Sequence, residues 1–539
     1  MTPQPRHALR SYATVAISGL GLASSVAACT LGPDFIPPAP TITESSDYLD
    51  TGLPARTPLP LLARTSTAEP VVAWWLAFRD PILAQLEDRV ASQNLDVQTA
   101  TARLFESRAQ LGTAATAGLP TLTVQGSAYR QQYSKNGTIG LLSNSLGGGL
   151  SGSSSSTASS SSLTAPLTNG FESYTLGFDA SWELDLWGKV RRSVESAQAQ
   201  ADASAEQRRN ALVSSQAELA RDYVQLRGTQ EQIRIDLANI RVNEQILDVV
   251  RIRQQKGLVT GLDTANAAQQ VEAIKAQLPP LQQQEIQQIN AISLLLGEPP
   301  LALSQELVTG RSIPPVPPRV PVGLPSSLVL RRPDIRQAEA NLHSAVAEIG
   351  VAEAQFFPTV TLSASPTVNA VDPGKIFRGS SLQYMNVGPS ISIPLFEGGR
   401  LKANLVLQRA RQQEAAIAYQ KAVLQGWHDV VNALASLKGD EARRARLARQ
   451  VADARQALAL SRARYTQGVE IFTTVLQASQ TVLQAETNLV QATAAISTDF
   501  VALSKALGGG WETTFPPSPT PPLVLSRVAI PASDITHTK

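Results

Sequence analysis

The chain has 539 residues, 43% hydrophobic and 17% charged, with a formal net charge of +2. It is long and apolar enough to bury a core, and its nearly balanced charge makes no electrostatic case for nucleic acid as a partner. Catalysis has as little support: His7, His343, His428 and His537 are scattered, no Cys/His spacing suits a metal, and there is no nucleophile elbow.

In chain order, residues 1–28 join a basic start (Arg6, Arg10) to an apolar stretch and small residues, which predicts a secretory signal rather than a spanning helix. Cys29, the only cysteine, follows Val26-Ala27-Ala28 and resembles the lipobox cysteine of bacterial lipoproteins, which implies a covalent lipid anchor there. Thr30 follows in place of the Asp that commonly retains such proteins at the inner membrane, which favours the outer membrane. Residues 29–73, rich in Pro and Thr, read as an extended lipidated tether. The body starts at Trp74-Trp75, and a helical pattern runs from about Asp80 to Ala117.

Strand-like alternation begins after Pro120. Leu122, Val124 and Ala128 alternate with polar residues, as do Tyr174, Leu176, Phe178, Ala180, Trp182 and Leu184 further on. Val360, Leu362 and Ala364, then Val387, Ile391, Ile393 and Leu395, repeat the pattern. These predict strand pairs at 119–131 with 172–186 and at 358–370 with 383–396. Their lengths suit a membrane β-barrel with one face to lipid, although half-buried strands of a soluble sandwich alternate in the same way. The segment 133–169 between the first two strands is Ser/Gly-rich and predicts a long external loop.

Between and after the strand pairs the chain repeats a phrase. Arg251-Ile252-Arg253 leads to Gly257-Leu258-Val259, and Arg462-Ala463-Arg464 leads to Gly468-Val469. Each phrase marks one helix ending and another beginning: arginines suit the negative helix end, and Gly closes it. Asp263 and its counterpart Thr474 are expected to cap the returning helices. The preceding stretches, 189–256 and 400–467, contain no proline, and roughly 68 helical residues reach about 100 Å. Leu212, Leu219, Leu226, Ile233, Ile240 and Leu247 keep a seven-residue spacing. Val423, Val430, Leu437, Val451 and Leu458 repeat it, interrupted by Arg444. A sustained heptad predicts a supercoiled seam, and abundant Ala and Gln between imply the stave of a hollow helical barrel. The return helices are expected at 264–296 and 474–507.

The organisation is therefore a duplication. A first repeat occupies 74–299, a linker at mid-height 300–332, a second repeat 333–510 opening with helix 333–355, and a tail 511–539. The fold class is mixed α and β. Four strands cannot close a spanning barrel, because an open edge in lipid leaves backbone groups unpaired, so copies must share one.

The chain resembles the TolC-like outer-membrane efflux channels, in their NodT-type or OprM-like lipoprotein branch. The marks are Cys29 with Gly32-Pro33-Asp34-Phe35; Leu330-Arg331-Arg332-Pro333-Asp334-Ile335 with Ala338-Glu339; and Gly350 through Phe356-Phe357-Pro358. Pro394-Leu395-Phe396-Glu397-Gly398-Gly399-Arg400 and Arg464-Tyr465 with Gly468 and Val475-Leu476 complete them. The resemblance implies a homotrimer with a twelve-stranded β-barrel in the Gram-negative outer membrane, continued by a twelve-helix periplasmic α-barrel with a belt at mid-height. It implies a periplasmic adaptor and an inner-membrane pump, often of the resistance-nodulation-division class, as partners, and a passive gated duct that is not an enzyme. No cofactor or metal is expected beyond the lipid on Cys29.

Carried over by resemblance, the adaptor-docking surface is Gly257, Leu258, Val259, Gly468 and Val469. TolC rings its closed mouth with acidic residues at positions matching Thr474 and Gln477, neither acidic here, and an arginine position falls on Glu470. Closure is then expected from Phe472 and from hydrogen bonds among Thr473, Thr474 and Gln477, with Arg253, Asp263, Arg464 and Glu470 as tip caps and charges. The competing readings are a structural coiled-coil lipoprotein spacing two membranes and a type I secretion duct.

Overall fold

The structure is a computed structural model that describes residues 30–38, 64–66, 68–132, 134, 171–323 and 328–516. The expected signal peptide, Cys29, nearly all of the loop at 133–169 and the tail beyond 516 lie outside these residues.

A three-residue strand, β1 (Arg64–Ser66), and a 3-10 turn at Trp74–Phe78 precede α1 (Pro81–Gln93). Asp80 caps α1 by accepting from the amides of Ile82 (2.9 Å) and Leu83 (3.4 Å), and Leu83, Leu86 and Val90 bury its inner face. The single helix expected from Asp80 to Ala117 is broken at Asn94. Its side-chain oxygen accepts from Asp96 N and Val97 N at 3.0 Å, which starts α2 (Leu95–Thr116) afresh.

The strands are β2 (Thr121–Gln131) and β3 (Phe171–Leu184). There follow α3 (Lys189–Gln255), α4 (Gly261–Lys275), α5 (Leu278–Leu295), the single turn α6 (Ser304–Leu307), β4 (Arg319–Pro321) and α7 (Leu328–Arg331). The second repeat supplies α8 (Pro333–Ala354), β5 (Thr359–Ala370), β6 (Leu382–Ser392), α9 (Arg400–Thr466) and α10 (Phe472–Ala506). α3 and α9 are each 67 residues long and begin and end 211 positions apart. The return limb of the first repeat is not the continuous helix expected over 264–296. Pro279 and Pro280 occupy the first turn of α5, where a missing N–H costs least, so the limb divides into α4 and α5. Its counterpart α10 has Val490 and Gln491 there and runs unbroken for 35 residues.

Two compact units partition the chain. The sheet unit comprises Met1–Phe35, Gln110–Ala197 and Ala345–Arg411; the helical unit comprises Ile36–Ala109, Gln198–Ser344 and Gln412–Lys539. In the sheet unit the antiparallel order is β2-β3-β5-β6. Val124 opposes Phe178, Trp182 opposes Leu362 and Val360 opposes Ile391, so one face is apolar. Thr123 opposite Asp179, Ser181 opposite Ser363 and Thr361 opposite Ser390 make the other polar. Arg192, almost wholly buried, draws in the N-terminal segment by donating to the carbonyls of Leu31 (3.0 Å) and Gly32 (3.2 Å) and to Asp34 (2.6 Å). Gly32 is needed there: a Cβ would stand 2.4 Å from Gly350 Cα.

The helical unit buries the heptad track. Leu212, Leu219 and Leu226 are fully buried with Val430, Leu437, Phe78, Phe500, Trp74 and Trp511; truncating one such Leu to Ala costs about 2–5 kcal/mol. β1 and β4 pair in parallel, a contact the sequence did not suggest. Arg227 anchors the linker, donating to the carbonyls of Leu307 (3.1 Å) and Thr309 (3.0 Å). Arg332 holds the end of α10 by donating to Ala506 O (2.8 Å), while Asp334 and Asp429 neutralise it. Among the described residues, no helix is long and apolar enough to cross a membrane.

Candidate functional site at the paired hairpin tips

Both tips lie in the helical unit and are built by the same local rule. Gly257 adopts φ +72° and donates to Gln254 O at 2.9 Å, while Leu258 N donates to Arg253 O at 2.9 Å. Gly468 adopts φ +79° and donates to Tyr465 O at 3.0 Å, while Val469 N donates to Arg464 O at 3.0 Å. These are paired Schellman closures, and a left-handed residue is what they require. A Cβ on either glycine would meet nothing within 4 Å, so the backbone there is open to a partner. Leu258 and Val469 project beside them, 64% and 66% exposed, and Val259 packs partly against the hairpin core.

The returning helices start earlier than expected. Thr260, not Asp263, is the N-cap of α4, and Asp263 at its third position accepts from Thr260 N (3.1 Å) and Thr260 Oγ1 (3.0 Å). Ile471, not Thr474, precedes α10. In the second copy the acid sits four positions earlier, just before the cap residue Ile471: Glu470 accepts from Ile471 N (3.3 Å) and Thr474 Oγ1 (3.0 Å), with Arg464 3.7 Å away. Each tip thus has one carboxylate fastening the start of its return helix, from different positions.

A cross-link joins the tips. Arg253 Nη1 donates at 2.6 Å to Tyr465 O, the carbonyl that also closes the second tip, and its guanidinium lies 4.6 Å over the Tyr465 ring. Tyr465 packs on Phe472 at 5.6 Å, and both belong to a core with Leu247, Val250, Val271 and Val475. Burial raises the Tyr465 phenol above its ordinary pKa, opposed by Arg253. Further along, a polar seam ties α10 to the first repeat. Ser479 donates to Asn243 (3.0 Å), Gln480 to Gln270 (2.9 Å) and Asn239 to Glu486 (2.9 Å). Arg455 of α9 donates to the other Glu486 oxygen at 2.6–2.8 Å.

Of the residues expected to close a mouth, Phe472 is 3% exposed and turned into the hairpin core. Thr473 and Gln477 are exposed, the Gln477 carbonyl accepts from Thr481 Oγ1 at 2.9 Å, and Thr474 is engaged with Glu470. The structure does not bring Thr473, Thr474 and Gln477 together by hydrogen bonds among the described residues. Tyr465 is the functional candidate that residue-type reasoning missed. It was legible only as part of the Arg464-Tyr465 phrase, since its counterpart in the first copy is Gln254. A second feature lay beyond sequence: Asp499 of α10 lies beside Asp440 of α9, and burial with that neighbour pushes its carboxyl up to about 7.

A family model described as outer membrane efflux protein matches residues 86–298 and 324–509. The chain is 33% identical over 466 residues to the pyoverdine export outer membrane protein OpmQ of Pseudomonas aeruginosa, covering 86% of this chain and 93% of that protein. It is 29% identical to nodulation protein T of Rhizobium leguminosarum bv. viciae, over 90% and 92% of the two. Among solved structures, the outer-membrane channel OprN superposes with a TM-score of 0.76 at 30% identity, covering 90% of this chain and all of that one.

Proposed function

The chain belongs to the outer membrane efflux protein family, and from that premise we propose that it is the passive outer-membrane duct of a tripartite exporter. In this reading it works as a homotrimer. Three four-stranded sheets share one twelve-stranded barrel in the outer membrane, and the long helices continue it as a twelve-helix tunnel through the periplasm. An inner-membrane pump of the resistance-nodulation-division class supplies the energy, a periplasmic adaptor docks on Gly257, Leu258, Val259, Gly468 and Val469, and a lipid on Cys29 adds an anchor.

The observation that carries this reading is the duplicated tip: two open glycine backbones, each flanked by an exposed apolar side chain, at the ends of matched 67-residue helices. Opening is an outward swing of the return helices, an iris motion. For α10 that swing breaks the Asn243, Gln270 and Asn239 contacts, and the hold of Arg253 on Tyr465 O, between the long helices α3 and α9, resists it by fixing the second tip. Phe472 acts as the packing pivot of α10 instead of an apolar plug, and Glu470 and Asp263 keep each helix start rigid through the movement.

The test is bilayer conductance of the purified lipidated protein with and without a candidate adaptor, alongside its mass in detergent. A trimer whose small conductance rises with adaptor is expected. A monomer that conducts nothing overturns the duct and returns the chain to a membrane spacer.

A further inference from the structure

The two hairpins of the four-stranded sheet keep one register at the end nearest the helices, 121–125 with 177–181 in the first and 359–363 with 388–392 in the second, beyond which only the second shifts, between Ser363 and Ser365. Thr121 pairs with Ser181 in the first and Thr359 with Ser392 in the second, equivalent positions in the two repeats. They differ at one end. β3 runs on to Leu184, whereas β6 stops at Ser392, the counterpart of Ser181. The three extra residues of β3 have no partner on β2, which begins at Thr121. They are strand because β5 holds them: Trp182 opposite Leu362, Glu183 opposite Thr361, Leu184 opposite Val360. Their counterparts Ile393, Pro394 and Leu395 lie past the start of β5, at a sheet edge with no neighbour, and are not strand. Ile393 and Leu395 are 56% and 92% exposed.

We propose that Ile393–Leu395 is the unfinished end of β6, completed by β2 of a second copy of this chain in the register that β3 keeps with β5. The inference rests on the shared-barrel reading above and adds the residues of the seam. Carrying the β3–β5 register across the duplication sets Leu395 opposite Leu122, Ile393 opposite Val124 and Ile391 opposite Gly126 of the second copy. Apolar meets apolar or glycine on one face, and Ser392 meets Gln125 on the other. A slip of one residue would set the apolar residues of one strand against the polar residues of its mate, so the faces agree independently with the transferred register. Pro394 lends no N–H, so the bonds of the seam fall to Ile393 and Leu395, whose amides share the other side of the strand.

The seam also has a closing side chain. Within the chain, Trp187 lies 5.0 Å from the Phe357 ring and donates to Pro358 O at 2.7 Å. Its counterpart in the second repeat is Gly398, which can do neither. Phe396, 91% exposed, stands two residues earlier, and the counterparts of Phe357 and Pro358 are Leu119, 60% exposed, and Pro120. Phe396 seats on Leu119 of the second copy and supplies between copies the ring packing, without the donated N–H, that Trp187 supplies within one.

Disulfide trapping in the full-length protein in its membrane tests the seam. Cys29 is the chain's only cysteine, so the unsubstituted protein is the blank. The matched variant is Leu122→Cys with Leu395→Cys, and the shifted control is Gly126→Cys with Leu395→Cys. Within one chain β2 and β6 are three strand spacings apart, about 14 Å, beyond disulfide reach, so any bond reports on neighbouring copies. Oxidation should give a covalent ladder up to the closed oligomer for the matched pair and little for the control. An oligomer in which the matched pair fails to bond overturns the register and leaves the duct reading intact, whereas a monomer in detergent overturns both. Phe396→Ser should lower the temperature at which the oligomer falls apart, and Phe396→Leu should recover most of it. Equal heat resistance of Phe396→Ser and the unsubstituted protein overturns the seating of Phe396.

Discussion

Arg253 closes its own tip through its carbonyl and grips the other through its guanidinium, so one residue couples two turns that lie far apart in the chain. Arg253→Ala removes a charged hydrogen bond and a cation–π contact, together about 1–2 kcal/mol at a half-exposed site. Single-channel conductance of the adaptor-free protein should rise, with Arg253→Lys intermediate. At Gly257 the two roles of a glycine can be separated. Gly257→Ala strains a left-handed backbone by about 1 kcal/mol, whereas Gly257→Asn tolerates that backbone and obstructs the open side. Adaptor binding should therefore fall in both variants, but thermal stability mainly in the Ala variant. Asp499 provides a pH dependence. Its carboxyl is raised to about 7 in the folded protein from 3.8, so its contribution to holding α10 on α9 is complete in acid and is lost as pH rises through about 7. The melting temperature in detergent should fall between pH 5 and pH 8, and Asp499→Asn should flatten that slope. The glycines were legible because a helix end has few chemical solutions. The grip of Arg253 on a carbonyl 212 residues away was not, because no side chain at the receiving end advertises it.

At the scale of elements, the long helices were legible almost to the residue, since a heptad without proline has little alternative, even where it carries Gly228, Gly426 and Gly439. The strands were legible because their two faces differ in polarity, and the observed register keeps those faces apart. Pro279-Pro280 divides a limb whose pattern predicts one return helix over 264–296, and Asn94 lies within the continuous pattern from Asp80 to Ala117 although its side chain caps a new helix. The parallel pair β1–β4 carries three residues a strand, too short for any alternation to register. If the prolines alone divide the first return limb, Pro279→Val with Pro280→Gln, the residues of α10 at the same place, should fuse α4 and α5. Amide exchange at residues 276–282 should then slow several-fold, because freed turn amides gain helical acceptors. Unchanged exchange would place the cause of the break in the packing around Ala276 and Gln277.

Across the whole molecule, duplication explains more than composition does. The two tips, the two strand pairs and the two long helices obey one plan, and the departures from it mark where the two copies differ in what they hold. The clip on Leu31, Gly32 and Asp34 has no such twin: the counterpart of Arg192 is Ala403, so one repeat alone secures the N-terminal segment. Arg192→Ala should expose residues 30–38 to limited proteolysis while leaving the melting of the helical unit unchanged.

The pairing of β3 with β5 also sets an order of events during synthesis. Leu184 and Val360 are neighbours in the sheet, yet the entire first helical hairpin is made between them. Closing a loop of that length costs on the order of 4–5 kcal/mol of chain entropy, whereas the helices form from local contacts. The β2–β3 hairpin, marginal by itself in water, must therefore wait with the free edge of β3 unpaired until its mate β5 has been translocated. The central seam of the sheet is the slow step of biogenesis, and the interval before it closes is when the chain most needs a chaperone.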